Sequence, residues 1–173
     1  MAVKDVLLLG RAELYEPSRA FGREDLANLP ELVEDLHDTL MEFRARRGAG
    51  RAIAAPQIGV RRRVIYMNVD GAPTVFLNPE LRALGPETVE VWDDCLCFPD
   101  LLVRVARYAS CRVSYHDEDW RACERTLSGD LSELMQHEVD HLDGILAVSR
   151  ALDGRSFALR GQVTPGLIRA ASG

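Results

Sequence analysis

The stretch Gln136-His137-Glu138-Val139-Asp140-His141 is the part of this sequence that indicates most about its fold. Two histidines four residues apart project from one face of a helix, where both rings can bind one metal ion. Glu138 follows the first histidine and can reach a water on that metal. The same spacing also occurs by chance on solvated helices. The stretch predicts a helix in the C-terminal half of the chain that carries a hydrolytic metal centre.

Apolar residues flank this stretch on the side to which Glu138 projects. They are Leu131, Leu134, Met135, Leu142 and Ile145. This stripe predicts that one helix face packs against the core, and Ser128 is the expected N-cap. A buried carboxylate without a partner is costly, so Glu138 needs a metal, a proton or a polar group nearby.

The composition of the whole chain is that of one globular domain. Of its 173 residues, 47% are hydrophobic and 28% are charged, which suffices for a sizeable core. The net charge of −6 argues against a nucleic-acid surface. No apolar run approaches the roughly 20 residues of a membrane helix, and the N-terminus lacks a signal-peptide pattern. We expect a single domain over residues 1–173, cytoplasmic, with no nucleic acid or membrane partner and with its cysteines reduced.

Upstream patterns predict a second helix and a set of strands. Apolar residues recur at helical spacing over residues 29–43, behind a capping box of Asn28 with Glu31, and Gly48 ends the helix. Strands are expected at residues 64–69, 74–77, 88–92, 102–108, 111–116 and 120–126. No helices separate these strands. We therefore expect an α+β fold, in which an antiparallel or mixed sheet packs around the metal-binding helix, with an N-terminal helix. The last ten residues are expected to fray.

Two histidines leave a divalent metal short of protein ligands, because a catalytic site usually takes a third and keeps one position for water. The candidate is Cys95, in the stretch Trp92-Asp93-Asp94-Cys95-Leu96-Cys97-Phe98-Pro99. A predicted strand gives way to a loop here, which is a suitable place to aim a side chain at a neighbouring helix. The residues alone equally allow a buried free cysteine that fills the core.

A third segment, Gly50-Arg51-Ala52-Ile53-Ala54-Ala55-Pro56-Gln57, consists mainly of small residues that allow close approach of backbone or ligand. Gln57 is its one neutral polar side chain. Its amide could donate to an oxyanion, although read in isolation a glutamine here also fits a surface or a turn.

Together the three segments resemble the motifs of the peptide deformylases. That family's pattern is Gly-x-Gly-aliphatic-Ala-Ala-x-Gln, then Glu-Gly-Cys-Leu-Ser, then Gln-His-Glu-x-x-His-Leu. The corresponding stretches are residues 50–57, 93–97 and 136–142, in the same order, and the similarity covers most of the chain. The resemblance implies a metal-dependent hydrolase that removes the N-formyl group from N-formyl-methionyl peptides of newly made proteins and releases formate.

Carried over by position, the resemblance also implies a role for each matching residue. The metal ligands are then Cys95, His137 and His141, with Fe2+ as the usual family metal and Zn2+ or Ni2+ as substitutes. Glu138 becomes the general acid and base, while Gln57 and the backbone N–H of Leu96 donate to the oxyanion. The substrate-binding residues are Gly50, Arg51, Ala52 and Asp94. Formylated nascent peptides are the implied partners, and contact with the ribosome stays open.

The chain departs from the family pattern at four positions. Ala52 replaces the second glycine, Asp93 and Asp94 replace Glu-Gly, and Cys97 replaces serine. Side chains at positions 52 and 94 are expected to narrow or recharge the cleft. The charge of Asp94 would favour a basic residue after the formyl-methionine, which Arg51 opposes locally. Asp93 is expected to keep a pairing with Arg107.

Other functions remain open at this point. The departures also fit a related amide hydrolase or deacylase with another acyl or peptide preference. A non-catalytic module that binds metal or senses thiols through Cys95 and Cys97 is a further alternative. A zinc endopeptidase is disfavoured, because its third ligand normally follows the histidine pair and no histidine follows His141.

Overall fold

A computed structural model describes residues 3–163, so the expected fraying of the last ten residues lies outside the described part. Two α-helices are present there, α1 (Leu29–Arg47) and α2 (Asp130–Leu142). The strands are β1 (Ala52–Ala54), β2 (Val64–Val69), β3 (Ala72–Ala83), β4 (Thr88–Asp93), β5 (Leu101–Tyr108), β6 (Ser110–His116), β7 (Ala122–Ser128) and β8 (Phe157–Leu159). Short 3-10 helices lie at Ala12–Tyr15, Arg23–Asn28, Ala55–Ile58, Ala147–Arg150 and Arg160–Gln162.

The strands form two sheets. The large sheet has the order β1-β2-β3-β6-β7, and the small sheet has the order β4-β5-β8. Within residues 3–163 each paired strand runs antiparallel to its neighbour. The predicted α+β class is confirmed, in its antiparallel rather than its mixed form.

The two helices cover opposite faces of the large sheet. Successive side chains of a strand point to opposite faces, and β1 shows this alternation. Ala52 and Ala54 pack in a cluster with Met135 of α2, whereas Ile53 packs in a cluster with Leu40 of α1. Helix α2 also contacts β5 of the small sheet. It is therefore held between the two sheets, with the loop that follows β4 close by.

Both helix starts differ from the sequence expectation. The capping box of Asn28 with Glu31 is wrong, because Asn28 already has helical backbone angles and its side chain makes no capping hydrogen bond. The 3-10 helix Arg23–Asn28 leads directly into α1. Ser128 is not the N-cap of α2, because it still belongs to β7, and Gly129 is the cap with a φ of 56°. The chain turns from strand to helix in a left-handed conformation that favours glycine. Gly48 ends α1 as predicted, with a φ of 68°.

The strand predicted at residues 64–69 is present with those bounds, and the other predicted strands are present with altered ends. Strands β1 and β8 were not anticipated. Strand β3 continues past its expected end through a bulge between Leu77 and Glu80. Asn78 has a φ of 50° in this bulge, and its side chain exchanges two hydrogen bonds of 2.7 and 2.8 Å with the backbone of Phe21. These bonds compensate for the interrupted ladder. Strand β7 starts at Ala122, because Trp120 turns with a φ of 62°.

The buried face of α2 is close to the prediction. Leu134, Met135 and Leu142 are buried, and so is Glu138, whose exposed fraction is 3%. The prediction was wrong for two residues of the expected stripe. Leu131 is exposed, and Ile145 lies beyond the end of the helix. No helix in residues 3–163 is long and apolar enough to cross a membrane.

Candidate metal centre

The three predicted ligand residues meet in the interior of the protein. The Sγ of Cys95 lies 3.2 Å from Nε2 of His141, and that atom lies 3.1 Å from Nε2 of His137. All three potential ligand atoms lie within 4.8 Å of one another, and all three residues are buried. Within residues 3–163 this is the one group of at least three such side chains with that spacing.

This arrangement fits a divalent metal ion. Nitrogen and sulfur ligands at about 2.0–2.3 Å from one tetrahedral ion lie about 3.3–3.6 Å from each other. The observed separations of 3.1 and 3.2 Å are close to these values. One thiolate and two imidazoles form a donor set that accepts iron, zinc, nickel or cobalt. The residues therefore fit a metal without specifying which one.

The loop after β4 aims the Cys95 thiol at α2. The backbone turns immediately after Cys95, where the N–H of Phe98 donates to the carbonyl of Cys95 at 3.1 Å. The N–H of Cys97 points back at the Cys95 sulfur, 3.4 Å away. This backbone donor favours the thiolate, but burial and the neighbouring Cys97 raise the pKa of the Cys95 thiol well above its usual range in the metal-free protein. The alternative of an apolar core filler does not explain these polar neighbours.

A buried chain of charged groups orients His137 from behind. Asp93 lies 3.0 Å from Nδ1 of His137 and receives a 2.7 Å hydrogen bond from Arg107. Arg107 also donates to Asp140 at 2.6 Å, and Asp140 accepts two 2.6 Å bonds from Arg150. The predicted pair of Asp93 with Arg107 is confirmed. The involvement of Asp140 and Arg150 was missed, although Asp140 stands inside the histidine motif.

In the metal-free protein, these buried charged groups control the protonation of His137 and Asp93. Burial lowers the pKa of His137, but the Asp93 carboxylate beside it more than compensates and raises that pKa to about 9. Burial alone would raise the pKa of Asp93, but His137 and Arg107 hold it well below its usual range. A carboxylate that faces the outer nitrogen of a ligand histidine fixes the ring's orientation and tautomer.

The pKa values of Glu138 and His141 shift in favour of their neutral forms, whereas those of Asp93 and His137 shift in favour of their charged forms. Burial raises the pKa of Glu138 to about 7, against the opposing charge of His137. Burial, together with the charge of His137, lowers the pKa of His141 well below its ordinary value. His141 is thus held neutral, which is the form of histidine that binds metals. Glu138 is poised to exchange a proton near neutral pH.

Gln57 is buried next to the cysteines, so it is not a surface residue. Its Oε1 accepts a 2.7 Å hydrogen bond from the N–H of Ala54, which orients the side-chain amide. Its Nε2 consequently faces the sulfurs of Cys95 and Cys97, at 3.5 and 3.6 Å. The 3-10 helix Ala55–Ile58 carries it there directly after β1.

Three of the four expected substrate-binding residues, Arg51, Ala52 and Asp94, line a small cavity at this centre. The cavity measures about 10 Å³ and is lined by Arg51, Ala52, Asp93, Asp94, Cys95, Leu96, Leu134, His137 and Glu138. By this measure it has room for about one water molecule. Gly50 lies outside it, where a Cβ would come within 3.2 Å of Leu40 and where φ is 122°. A larger cavity of about 700 Å³ lies on the α1 side of the large sheet and contains none of the three ligand residues.

Asp94 does not offer an isolated negative charge to this cavity. Its Oδ2 pairs with the guanidinium of Arg160, from the 3-10 helix that follows β8. The expectation that Asp94 recharges the cleft did not foresee this cation. Arg160 lies 66 positions further along the chain, so no local pattern connects the two residues.

A protein-family model described as polypeptide deformylase matches residues 3–156. The chain belongs to the peptide deformylase family. Peptide deformylase 1 of Prochlorococcus marinus (strain MIT 9313) is 35% identical over 180 aligned residues, which cover 97% of this chain and 91% of the relative. Family membership makes the chain a metal-dependent hydrolase that removes the N-formyl group from nascent formyl-methionyl peptides.

Solved peptide deformylase structures share the fold. The crystal structure of the Thermotoga maritima enzyme has a TM-score of 0.81 at 28% identity, and the match covers 88% of this chain and 100% of that one. A class I type b peptide deformylase from Acinetobacter baumannii, bound to Met-Ala-Ser, has a TM-score of 0.79 at 28% identity. That match covers 86% of this chain and 98% of the other.

We expect the buried charged groups of this deformylase-family protein to contribute to its stability. Arg107→Met leaves Asp93 and Asp140 buried without their shared partner, and we expect it to cost about 3–5 kcal/mol in the free energy of unfolding. Urea denaturation followed by circular dichroism measures the loss. The matched control is Arg150→Met, which removes an arginine with an exposed fraction of 43% from the same Asp140. It should cost about 1 kcal/mol or less. Equal losses in the two variants would contradict the assignment of Arg107 as the central partner.

Proposed function

We propose that Cys95, His137 and His141 hold one divalent metal ion, Fe2+ in the native protein, and that Glu138 is the acid and base of the deformylation reaction. The observation that carries the proposal is the meeting of the three ligand atoms within 4.8 Å, beside a buried glutamate. Zn2+ and Ni2+ fit the same donors. We further propose that residues 1–173 fold as one domain and act on nascent formylated peptides in the cytoplasm.

Glu138 has the properties that proton transfer in this reaction needs. When bound, the metal acts as a Lewis acid that makes water a better nucleophile at neutral pH. Glu138 lines the cavity next to the ligands, and its Oε2 is buried without a hydrogen-bond partner among the described residues. Burial raises the pKa of Glu138 to about 7 in the metal-free protein. From its place beside the ligands, its carboxylate can take a proton from the attacking water and return it to the departing nitrogen. The C–N bond of the formamide breaks, and formate and a free amine result.

Gln57 and Leu96 are proposed to stabilise the oxyanion that forms on the formyl oxygen. The Ala54 N–H holds the carbonyl end of the Gln57 amide, so its N–H2 end points towards Cys95. Leu96 follows Cys95 in the turn, and its backbone N–H is the second proposed donor. Donors that are fixed before the reaction act without reorganisation in its transition state.

The peptide is proposed to lie along Gly50, Arg51 and Ala52. Strand β1 is an edge strand of the large sheet, because it pairs with β2 on one side only. An extended peptide can add to such an edge through main-chain hydrogen bonds. Ala52 lies on this edge, and it lines the cavity at the proposed metal ligands together with Asp94.

Formate release from formyl-Met-Ala-Ser, measured on anaerobically purified protein of known metal content, tests the proposal. We expect one metal ion per chain and multiple turnovers. Acetyl-Met-Ala-Ser is the matched substrate, because it differs only in the acyl group. Hydrolysis of the acetyl peptide in preference to the formyl peptide would favour the deacylase alternative. Binding of both without hydrolysis would favour a non-catalytic module.

Metal removal provides an independent prediction. Dialysis against a chelator should abolish formate release, because the proposed ligands then lack the Lewis acid that activates water. Addition of Fe2+ without oxygen, or of Ni2+ or Zn2+, should restore activity to different extents. Formate release that persists in protein shown to be metal-free by elemental analysis would contradict the proposed mechanism.

A further inference from the structure

The segment after β8 closes over the loop that carries Cys95. Strand β8 pairs with β5, and the residue that follows it, Arg160, donates from Nη2 to Asp94. The Nε of Arg160 donates to the carbonyl of Pro99 at 3.1 Å, and its backbone N–H donates to the carbonyl of Asp100 at 2.9 Å. Three contacts thus fix Arg160 against this loop.

Asp94 contacts Arg160 and also faces the proposed reaction site. It lines the same cavity as Cys95 and Glu138, with an exposed fraction of 4%. Only its Oδ2 contacts Arg160, because Oδ1 is buried without a hydrogen-bond partner among residues 3–163. Asp94 thus lies between the cavity beside Glu138 and the guanidinium of Arg160.

Arg51 is the other guanidinium at this cavity, and acidic residues surround it. Burial lowers its pKa, and the charges that oppose this shift belong, in order of size, to Asp130, Glu133 and then Asp94. Asp94 is therefore not the acidic residue whose charge raises the pKa of Arg51 most. Arg160, whose side chain keeps an exposed fraction of 39%, is the cation that contacts Asp94 directly.

We propose that Asp94 and Arg160 together determine the charge specificity of this site towards the residues that follow the formylated one. Each charge masks the other, so the unaltered protein discriminates little between basic and acidic peptides. Loss of Arg160 exposes the negative charge of Asp94, and loss of the Asp94 charge exposes Arg160. The inference rests on the proposed deformylase function.

Two variants that each remove one charge test the pair, and only Asp94→Asn is isosteric. Arg160→Gln keeps a donor for Pro99 but loses the positive charge, and Asp94→Asn loses only the negative charge. The measurement is kcat/KM for formyl-Met peptides that carry either Lys or Glu as the second or the third residue, with formyl-Met-Ala-Ser as the neutral reference.

The expected results have opposite signs. Arg160→Gln should favour the Lys peptides over the Glu peptides by about threefold to tenfold relative to the unaltered protein, and Asp94→Asn should favour the Glu peptides by a similar factor. The double variant should lose both preferences. Both shifts should shrink in about 0.5 M salt, where the Debye length is only a few ångströms.

A neighbouring ion pair supplies the control. Arg47 lies 2.9 Å from Asp100, on the same loop but exposed and outside the cavity. Arg47→Gln should leave the Lys/Glu ratio unchanged. A ratio that shifts equally in Arg47→Gln and Arg160→Gln would reflect the general surface field and overturn the inference.

The remaining outcomes separate the inference from the function on which it rests. Absence of turnover of every formyl peptide by the metal-replete, unaltered protein would refute the proposed function. Normal turnover with no reversal of the ratio between the two single variants would refute the role of the pair. An equal loss of kcat/KM for Lys, Glu and neutral peptides would show that the pair only ties the segment to the loop, which also overturns the inference.

Discussion

Cys95→Ala should yield a folded protein that no longer retains metal and that releases no measurable formate. Two histidines from one helix provide only part of the coordination sphere that a divalent ion needs. The lost ligand is the one negatively charged member of the proposed set. Elemental analysis after gel filtration measures the metal, and circular dichroism shows whether the fold persists. Full metal occupancy together with normal turnover in this variant would refute the proposed ligand set.

The second thiol on the same loop makes the control for this experiment specific. Cys97 lies next to the ligands, and Gln57 faces both sulfurs at similar distances, 3.5 and 3.6 Å. Cys97→Ser introduces the residue that the family pattern has at this position. It should keep its metal and most of its activity. Metal loss in Cys97→Ser but not in Cys95→Ala would show that Cys97, and not Cys95, is the metal ligand.

The local parts of the site were predictable because they depend on repeat distances of regular structure. Residues four apart share a helix face, and α2 indeed brings the rings of His137 and His141 together. The strands follow from alternation of buried and exposed side chains, which is clear in β6. The position of Cys95 opposite that helix could not come from such periods. The order of the family's three motifs indicated it, and the geometry now supports it.

The parts that sequence reasoning missed depend on contacts between distant segments. Asp140 could be placed on α2 but not opposite Arg107, 33 positions away. Arg160 could not be connected with Asp94, because the residues between them fold into four strands, α2 and a 3-10 helix. The prediction of where α2 starts was wrong for a different reason. A polar Ser128 is a good cap by composition, but the backbone required a left-handed φ at Gly129.

Glu138→Gln should retain metal and lose at least about a hundredfold in kcat, the usual scale for removal of a positioned acid or base. The substitution keeps the size of the side chain but removes its ability to accept a proton at neutral pH. Glu138 is not one of the three proposed ligands, so elemental analysis should find as much metal as in the unaltered protein. Metal binding and chemistry then separate in one variant.

A second buried glutamate on the same helix distinguishes proton transfer from a general effect of burial. Glu133 has an exposed fraction of 2%, comparable with the 3% of Glu138, but it does not line the cavity at the ligands. Glu133→Gln removes the same charge from α2 and should keep most of the activity. Near-normal turnover by metal-replete Glu138→Gln would show that another group moves the proton. An equally large loss in Glu133→Gln would mean that α2 needs its buried carboxylates for its electrostatic environment, and that the special role of Glu138 is not supported.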